Sequence, residues 1–265
     1  MVQCSICAIS WHKMSKYDLA FATPLMNAAG SLGFTPEGRG PIDLNRLGAF
    51  ITHPVSLSSR TPAHARGCQS YPGGFLLHTG YPNPGLNQVI RRCRAKWARA
   101  PLPVIVHLLG ETPDQVATAV RRLEGLEGVM GVELGLPADI DPTAAVDLAQ
   151  VGLGELPLIV RLPLERATDL AHAVARLSIA AVSLGPPRGV LTNVSGESTR
   201  GRLYGPAVFP LAMAAVASLA RSGIPVIGAG GVYNSQNAEA MLAAGALAVQ
   251  VDAILWIAGW LNKSG

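Results

Sequence analysis

The segment 224–253, IPVIGAGGVYNSQNAEAMLAAGALAVQVDA, decides the fold. Its opening IPVI is an unbroken apolar run of the kind carried by a strand buried on both faces. Gly228, Gly230 and Gly231 interrupt that run, Asn234 and Ser235 offer a helix start, and NAEAMLAAG repeats its apolar positions at helical spacing. Gly245 stops the helix, and AVQV from Ala248 begins a second strand. Strand, helix and strand within about thirty residues make a βαβ unit, the connection that parallel strands require. The overlapping stretch Ala240–Leu261 has a single charge, Asp252, in 22 residues. That is long enough to span a bilayer, but its changes of period predict a strand flanked by two helices and no membrane association.

The same alternation fills the rest of the chain. PLMNAAG from 24, GAFITHP from 48, PVIVHLLG from 103, GVELGL from 131, PLIVRLP from 157 and AAVSLG from 180 join the two runs above to give eight strand-like segments. Helical patterns lie between them, clearest at TPDQVATAVRRLEGL, TAAVDLAQVGL, ERATDLAHAVARL and GPAVFPLAMAAVASLARSG. Eight strands alternating with eight helices predict the α/β class and a (β/α)8 TIM barrel, with a doubly wound open sheet as the alternative. No shift in composition marks a second unit, so residues 1–265 read as a single barrel domain. Two connections, at about 56–83 and 186–203, are too long to be turns and are rich in Gly, Pro, Ser and Thr. Both follow a strand, which in a barrel puts them over the C-terminal mouth as lids or ligand loops.

Composition narrows the function. The chain has 265 residues, 49% hydrophobic and 14% charged, with 21 Lys or Arg against 17 Asp or Glu. A disordered chain has the opposite balance. The net charge of +4 is local, because Arg91, Arg92, Arg94, Lys96 and Arg99 supply more than all of it. Such a face, with Trp97 beside it, suits an acidic partner, but no aromatic-rich motif accompanies it and no nucleic acid is expected. Cys4 and Cys7 form a lone Cys-x-x-Cys with no second close pair, so the four cysteines read as reduced thiols and no metal is expected. The opening MVQCSICAISWHKMSK lacks the pattern of a secretory signal, and a cytoplasmic location is expected.

The residues closing each strand form the candidate site: Asn27 with Ala28, Ala29 and Gly30, then His53, His107, Glu133, Arg161, Ser183, Gly228–Gly231 and Asp252. The turn at Gly230 and Gly231 leads into a helix after the seventh strand, where barrels place phosphate sites. Arg161 with His53 and His107 would make a cationic pocket for a small anionic ligand. The alternative is that each histidine is a satisfied polar group and that Glu133 pairs with Arg161 in a structural ion pair. No Ser-His-Asp or Cys-His arrangement stands out by spacing.

Over nearly its whole length the chain resembles the class 1 dihydroorotate dehydrogenases, FMN-dependent barrels that oxidise a CH–CH bond of dihydroorotate in pyrimidine biosynthesis. PLMNAAGSLG and GAFITHPVSLSSRTP resemble the family's first two strands, PGGFLLHTGYPNPG its substrate loop, GRLYGPAVFPLA its sixth-to-seventh connection, and the segment 224–253 its phosphate segment. The resemblance implies a flavoprotein-type oxidoreductase. It places FMN against Ala28, Ala29, Gly30, His53, Arg161, Gly201, Gly230 and Gly231, and substrate against Asn83. A homodimer or a partner subunit for electron transfer is implied in the same way.

The chain departs from the family pattern at the chemistry. Where the family has Asn-x-Ser-Cys-Pro-Asn, with a Cys or Ser base, this chain has Gly135, Leu136 and Pro137. The family's lysines after strands two and five are His53 and Arg161, its substrate-loop Asn is Leu77, and its strand-six Asn is Ser183. Arg202 and Tyr204 stand in a segment of small residues, and Asp252 with Ala253 replaces the phosphate-binding Gly-Thr. A carboxylate about 4 Å from a phosphate charge is repelled by about 4 kcal/mol at an effective dielectric of 20. Three readings follow: an FMN oxidoreductase of this type with altered activity, an inactive relative serving as a structural or regulatory partner, and a non-redox binder of a small anion.

Overall fold

The computed structural model describes residues 19, 21–37, 43–63, 67–192 and 196–256. Cys4 and Cys7 lie outside the described residues. In chain order the elements are β1 (Leu25–Asn27), β2 (Phe50–Ile51), β3 (Gly67–Tyr71), β4 (Gly74–His78), α1 (Leu86–Trp97), β5 (Val104–Leu109) and α2 (Pro113–Leu123). They continue with β6 (Val129–Gly135), α3 (Pro142–Val151), β7 (Leu158–Pro163), α4 (Ala167–Val174), β8 (Ala181–Gly185), β9 (Arg188–Thr192) and β10 (Ser198–Tyr204). The last are α5 (Phe209–Arg221), β11 (Val226–Ala229), α6 (Ser235–Ala243) and β12 (Ala248–Val251), after which Ala253–Trp256 makes a 3-10 turn.

Eight parallel strands run in the order β1-β12-β11-β8-β7-β6-β5-β2, and each falls on one of the eight apolar runs read from the sequence. A parallel bridge from Met26 to Ala49 joins the two ends into a barrel. The seam is short on backbone bonds, and Asn27 makes up the deficit with its side chain. Its Nδ2 donates to the Ile51 carbonyl at 2.7 Å, and its Oδ1 accepts from the Ile51 N–H at 2.9 Å. The fold is therefore the (β/α)8 TIM barrel.

The helices start where the sequence supplies caps. Thr112, Asp141 and Asn234 accept from the backbone N–H three residues on, and Pro113 and Pro142 occupy the first turns of α2 and α3. Six α-helices are present among the described residues, and between β1 and β2 these residues hold only a 3-10 turn at Leu44–Arg46. No helix among them is long and apolar enough to cross a membrane.

The two long connections are not irregular. Each holds an antiparallel pair, β3 with β4 and β9 with β10, and the pairs join through β4 and β10 into one four-stranded sheet. β3 and β9 were hidden from a reading of apolar runs because their residues alternate between half-buried and exposed. The basic segment lies on α1, where Arg91, Arg92 and Arg94 are exposed and Lys96 pairs with Glu37. Trp97 does not share that face. It is fully buried with Leu86, Val89 and Cys93, and its indole N–H donates to the Phe34 carbonyl at 2.8 Å.

The core has two parts. One packs the helices onto the outside of the barrel. The other fills its lower interior with Met26, Ala49, Ile51, Ile105, Ile159, Ala181, Ile227 and Ala248. Because side chains on one face of a strand recur every second residue, the next inward layer toward the C-terminal ends is His107, Arg161, Ser183 and Gln250. That layer is polar, and it forms the floor of the site.

Candidate functional site

Glu133 of β6 sits at the centre of this floor and is fully buried. Its carboxylate accepts from His107 Nδ1 at 2.6 Å, from Ser183 Oγ at 2.7 Å and from Gln250 Nε2 at 2.6 Å, and Arg161 Nη1 lies 3.6 Å away. Burial alone would raise the carboxyl. The His107 hydrogen bond, the Arg161 charge and the Ser183 hydrogen bond outweigh it and hold Glu133 at about 2. Burial moves His107 the other way: its pKa falls below the ordinary value, against the hydrogen bond and charge of Glu133 and with the Arg161 charge adding to the fall. Near neutral pH the pair is thus a carboxylate and a neutral imidazole whose proton is on Nδ1.

Of the two arrangements read from the sequence, the Arg161–Glu133 ion pair is present, and His107 is hydrogen-bonded to the same carboxylate. His53, between Phe34 and the floor, is lowered as well, first by burial and then by His107.

The four-stranded sheet brings a second arginine to the mouth. Arg202 of β10 is 5% exposed. Its guanidinium lies 3.8 Å from the ring centroid of Tyr81, and it donates to Thr79 Oγ1 at 3.0 Å and to Tyr204 Oη at 3.2 Å. Among the described residues it has no carboxylate partner. Tyr81 is the one non-glycine described residue with positive φ, 53°, a strained backbone of the sort found at ligand clamps. Two cavities remain at the mouth. A small one of about 60 Å³ lies between Arg202, Tyr81, Arg161, His107 and Gly185. Beside it a larger one of about 590 Å³ opens between Gly135–Asp139, Glu111 and the lid residues Arg60, Arg188 and Arg200. Neither touches Ala28–Gly30, His53, Gly230 or Gly231.

A barrel with a lid of this kind leaves many families open, and sequence similarity narrows them. The family model of dihydroorotate dehydrogenase matches residues 13–139. The catalytic subunit of dihydroorotate dehydrogenase B (NAD(+)) from Citrifermentans bemidjiense is 30% identical over 254 residues, covering 86% of this chain and 82% of that protein. The subunit of the same name from Pelobacter propionicus is 30% identical, with 90% and 86% covered, and that from Trichlorobacter lovleyi 31% identical, with 88% and 84% covered. The chain belongs to the dihydroorotate dehydrogenase family.

For a dihydroorotate dehydrogenase-type barrel, the residues implied by resemblance stand at several strand ends and in the lid sheet. Ala28 and Gly30 close β1 beside His53, with the Ala28 N–H donating to the Val251 carbonyl at 2.7 Å. Gly231 has φ 69°, and a Cβ there would stand 2.3 Å from the Phe209 nitrogen, so this turn is packed against the start of α5. Gly201 lies in the lid sheet, where a Cβ would meet Leu76 at 2.5 Å. Asn83 spends its amide inside its own loop, on Ser56, Gly85 and Tyr81. Gly135, Leu136 and Pro137 line the larger cavity and carry no ionisable side chain.

Asp252 accepts from the N–H of Ala253 at the start of the final 3-10 turn, and burial pushes its carboxyl up. Its charge also contributes to raising Tyr204 and Tyr233, each brought to about 12 with burial as the main cause. The sequence reading missed Arg202's stack on Tyr81 and the place of Gln250 beneath Glu133. Counting two residues on from Ala248 would have found Gln250.

Proposed function

We propose that this member of the dihydroorotate dehydrogenase family does not oxidise dihydroorotate through FMN and instead binds a small anionic ligand at the barrel mouth. One observation carries the reading: Arg202 is a nearly buried guanidinium without a carboxylate partner among the described residues. Its partners are two hydroxyls and the Tyr81 ring, and an anion between Arg202 and Arg161 would add charge-assisted hydrogen bonds to both guanidiniums.

The residues present do not fit FMN. Neither of the two mouth cavities reaches Ala28–Gly30, Gly230 or Gly231, where the resemblance would place FMN. By the resemblance, Tyr204 and Asp252 stand where small phosphate-binding residues are expected, and Gly135, Leu136 and Pro137 stand where the family base is expected. On this proposal the chain passes no electrons to a partner subunit.

The test is the visible spectrum of freshly purified protein, repeated after incubation with excess FMN and desalting. A colourless protein both times, with thermal stabilisation by oxalate or phosphate that is lost in Arg202→Leu, supports the proposal. Flavin bands surviving desalting overturn it.

A further inference from the structure

The small mouth cavity has more than an anion seat. His107 lines it, and the ring nitrogen that faces it is Nε2: a Cβ placed on Gly135 would lie 2.7 Å from that atom. The opposite nitrogen, Nδ1, donates to Glu133. Since Glu133 is a carboxylate, the proton of the neutral ring belongs on Nδ1, and Nε2 is left with a lone pair directed at the cavity. Glu133 is itself immobilised by Ser183 and Gln250, so the imidazole is held in one tautomer and one orientation. Arg161 and Arg202 border the same space. A base, a group that orients it and two guanidiniums are therefore gathered around one small cavity.

We propose that His107, positioned by Glu133, is the general base of a cofactor-independent proton transfer on a short 2-oxo acid whose carboxylate and carbonyl oxygens lie against Arg161 and Arg202. This rests on the anion-binding reading above and names its substrate class. The size agrees. At about 10 to 15 Å³ per water position, a cavity of about 60 Å³ holds the heavy atoms of a two- or three-carbon acid, while any longer tail extends into the adjoining larger cavity. Nε2 takes the proton from the carbon next to the carbonyl. The C–H electron pair becomes the C=C bond of the enolate, the carbonyl π pair moves onto oxygen, and that oxyanion is held by the guanidiniums. Return of the proton restores the acid, so the net reaction is proton exchange or isomerisation and consumes no oxidant.

The probe is pyruvate. Its binding is measured by calorimetry, with oxalate and phosphate alongside, and loss of its methyl protons in deuterated water is followed by proton NMR. The expected result is binding together with exchange that His107→Gln slows by about a hundredfold or more. Exchange in the wild type should also fall with pH as His107 gains its second proton, below its ordinary 6.5. The groups facing the ring during that titration are Glu133, Arg161, His53, Arg202 and Tyr81. Pyruvate binding with no exchange above that of the variant overturns the base and leaves the anion reading standing. No binding of any of the three anions removes both. If the variant does not fold, nitrogen-15 NMR of the wild type decides the matter: an Nε2–H tautomer or an imidazolium at pH 7 overturns the proposal. Glu133→Gln should move the pH profile, which a purely structural carboxylate would leave in place.

Discussion

Replacing Glu133 by Gln keeps the volume of the side chain and removes its charge, so it isolates the electrostatics of the barrel floor. The carboxylate faces Arg161 at 3.6 Å, a gross attraction of about 4 to 5 kcal/mol at an effective dielectric of 20. It also accepts three hydrogen bonds, and turning a charged acceptor into a neutral one costs about 1 kcal/mol for each. An amide further brings an N–H₂ to a place surrounded by donors. Relaxation returns part of this, and leaving one member of a buried pair alone typically costs about 3 to 5 kcal/mol. With a urea slope of about 3 kcal/mol per molar, the unfolding midpoint should fall by about 1 to 1.7 M. The double variant Glu133→Gln with Arg161→Gln should recover at least about 1 kcal/mol of the single variant's loss, because the orphaned cation is gone. A single-variant shift below about 0.3 M, or strict additivity in the cycle, would refute the account of Glu133 as the ionised centre of the layer.

Acid should weaken the fold in a defined window. Glu133 is at about 2 folded against 4.5 unfolded, so its contribution is complete above pH 4.5 and is lost as pH falls through about 2. The lowered His107 acts in the same sense from pH 6.5 downward, whereas the raised Asp252 acts oppositely above 3.8. Urea midpoints between pH 7 and 3 should therefore decline in the wild type and decline less in Glu133→Gln; parallel curves would contradict the assignment. Asn27→Ala leaves the Ile51 N–H and carbonyl without their partners at the seam, which at about 1 to 3 kcal/mol each should cost about 2 to 6 kcal/mol in the same assay. Asp252→Asn should let Tyr233 ionise below about 12 in an ultraviolet phenolate titration, because the Asp252 charge is one cause of its elevation; an unmoved Tyr233 would separate the two groups.

The barrel was legible because its strands are buried on both faces. That forces near-continuous apolar runs such as VIVHLL and LIVRLP, which stand out against Gly and Pro boundaries. The Arg161–Glu133 pair could be foreseen as one of two outcomes because a charge inside such a run needs a partner. The spacing of Leu86, Val89, Cys93 and Trp97 also put Trp97 on the buried stripe of α1, a clue outweighed by the neighbouring arginines. The place of the lid was legible, but its strands were not. GCQSY and RGVLT have no continuous apolar signature, and their sheet depends on pairing Leu77 with Arg202 across more than a hundred intervening residues. Arg202 therefore looked like bulk in a glycine-rich connection. Only the pairing of β10 with β4 reveals it as a buried cation over the mouth.

The lid sheet also bears on how the chain is made. Its two halves leave the barrel after β2 and after β8, so the first hairpin must emerge from the ribosome and wait until most of the barrel has been synthesised before its partner exists. The β4 edge is unpaired during that interval and is exposed to other chains. The exposed, largely polar alternation of β3 and β9 fits this history, since a greasier hairpin would invite aggregation while it waited. Arg202 reaches the mouth only when that late pairing forms, so the surroundings of Arg202 are completed late. An anion binding there would act on chains whose lid has paired and would favour them over every form in which it has not.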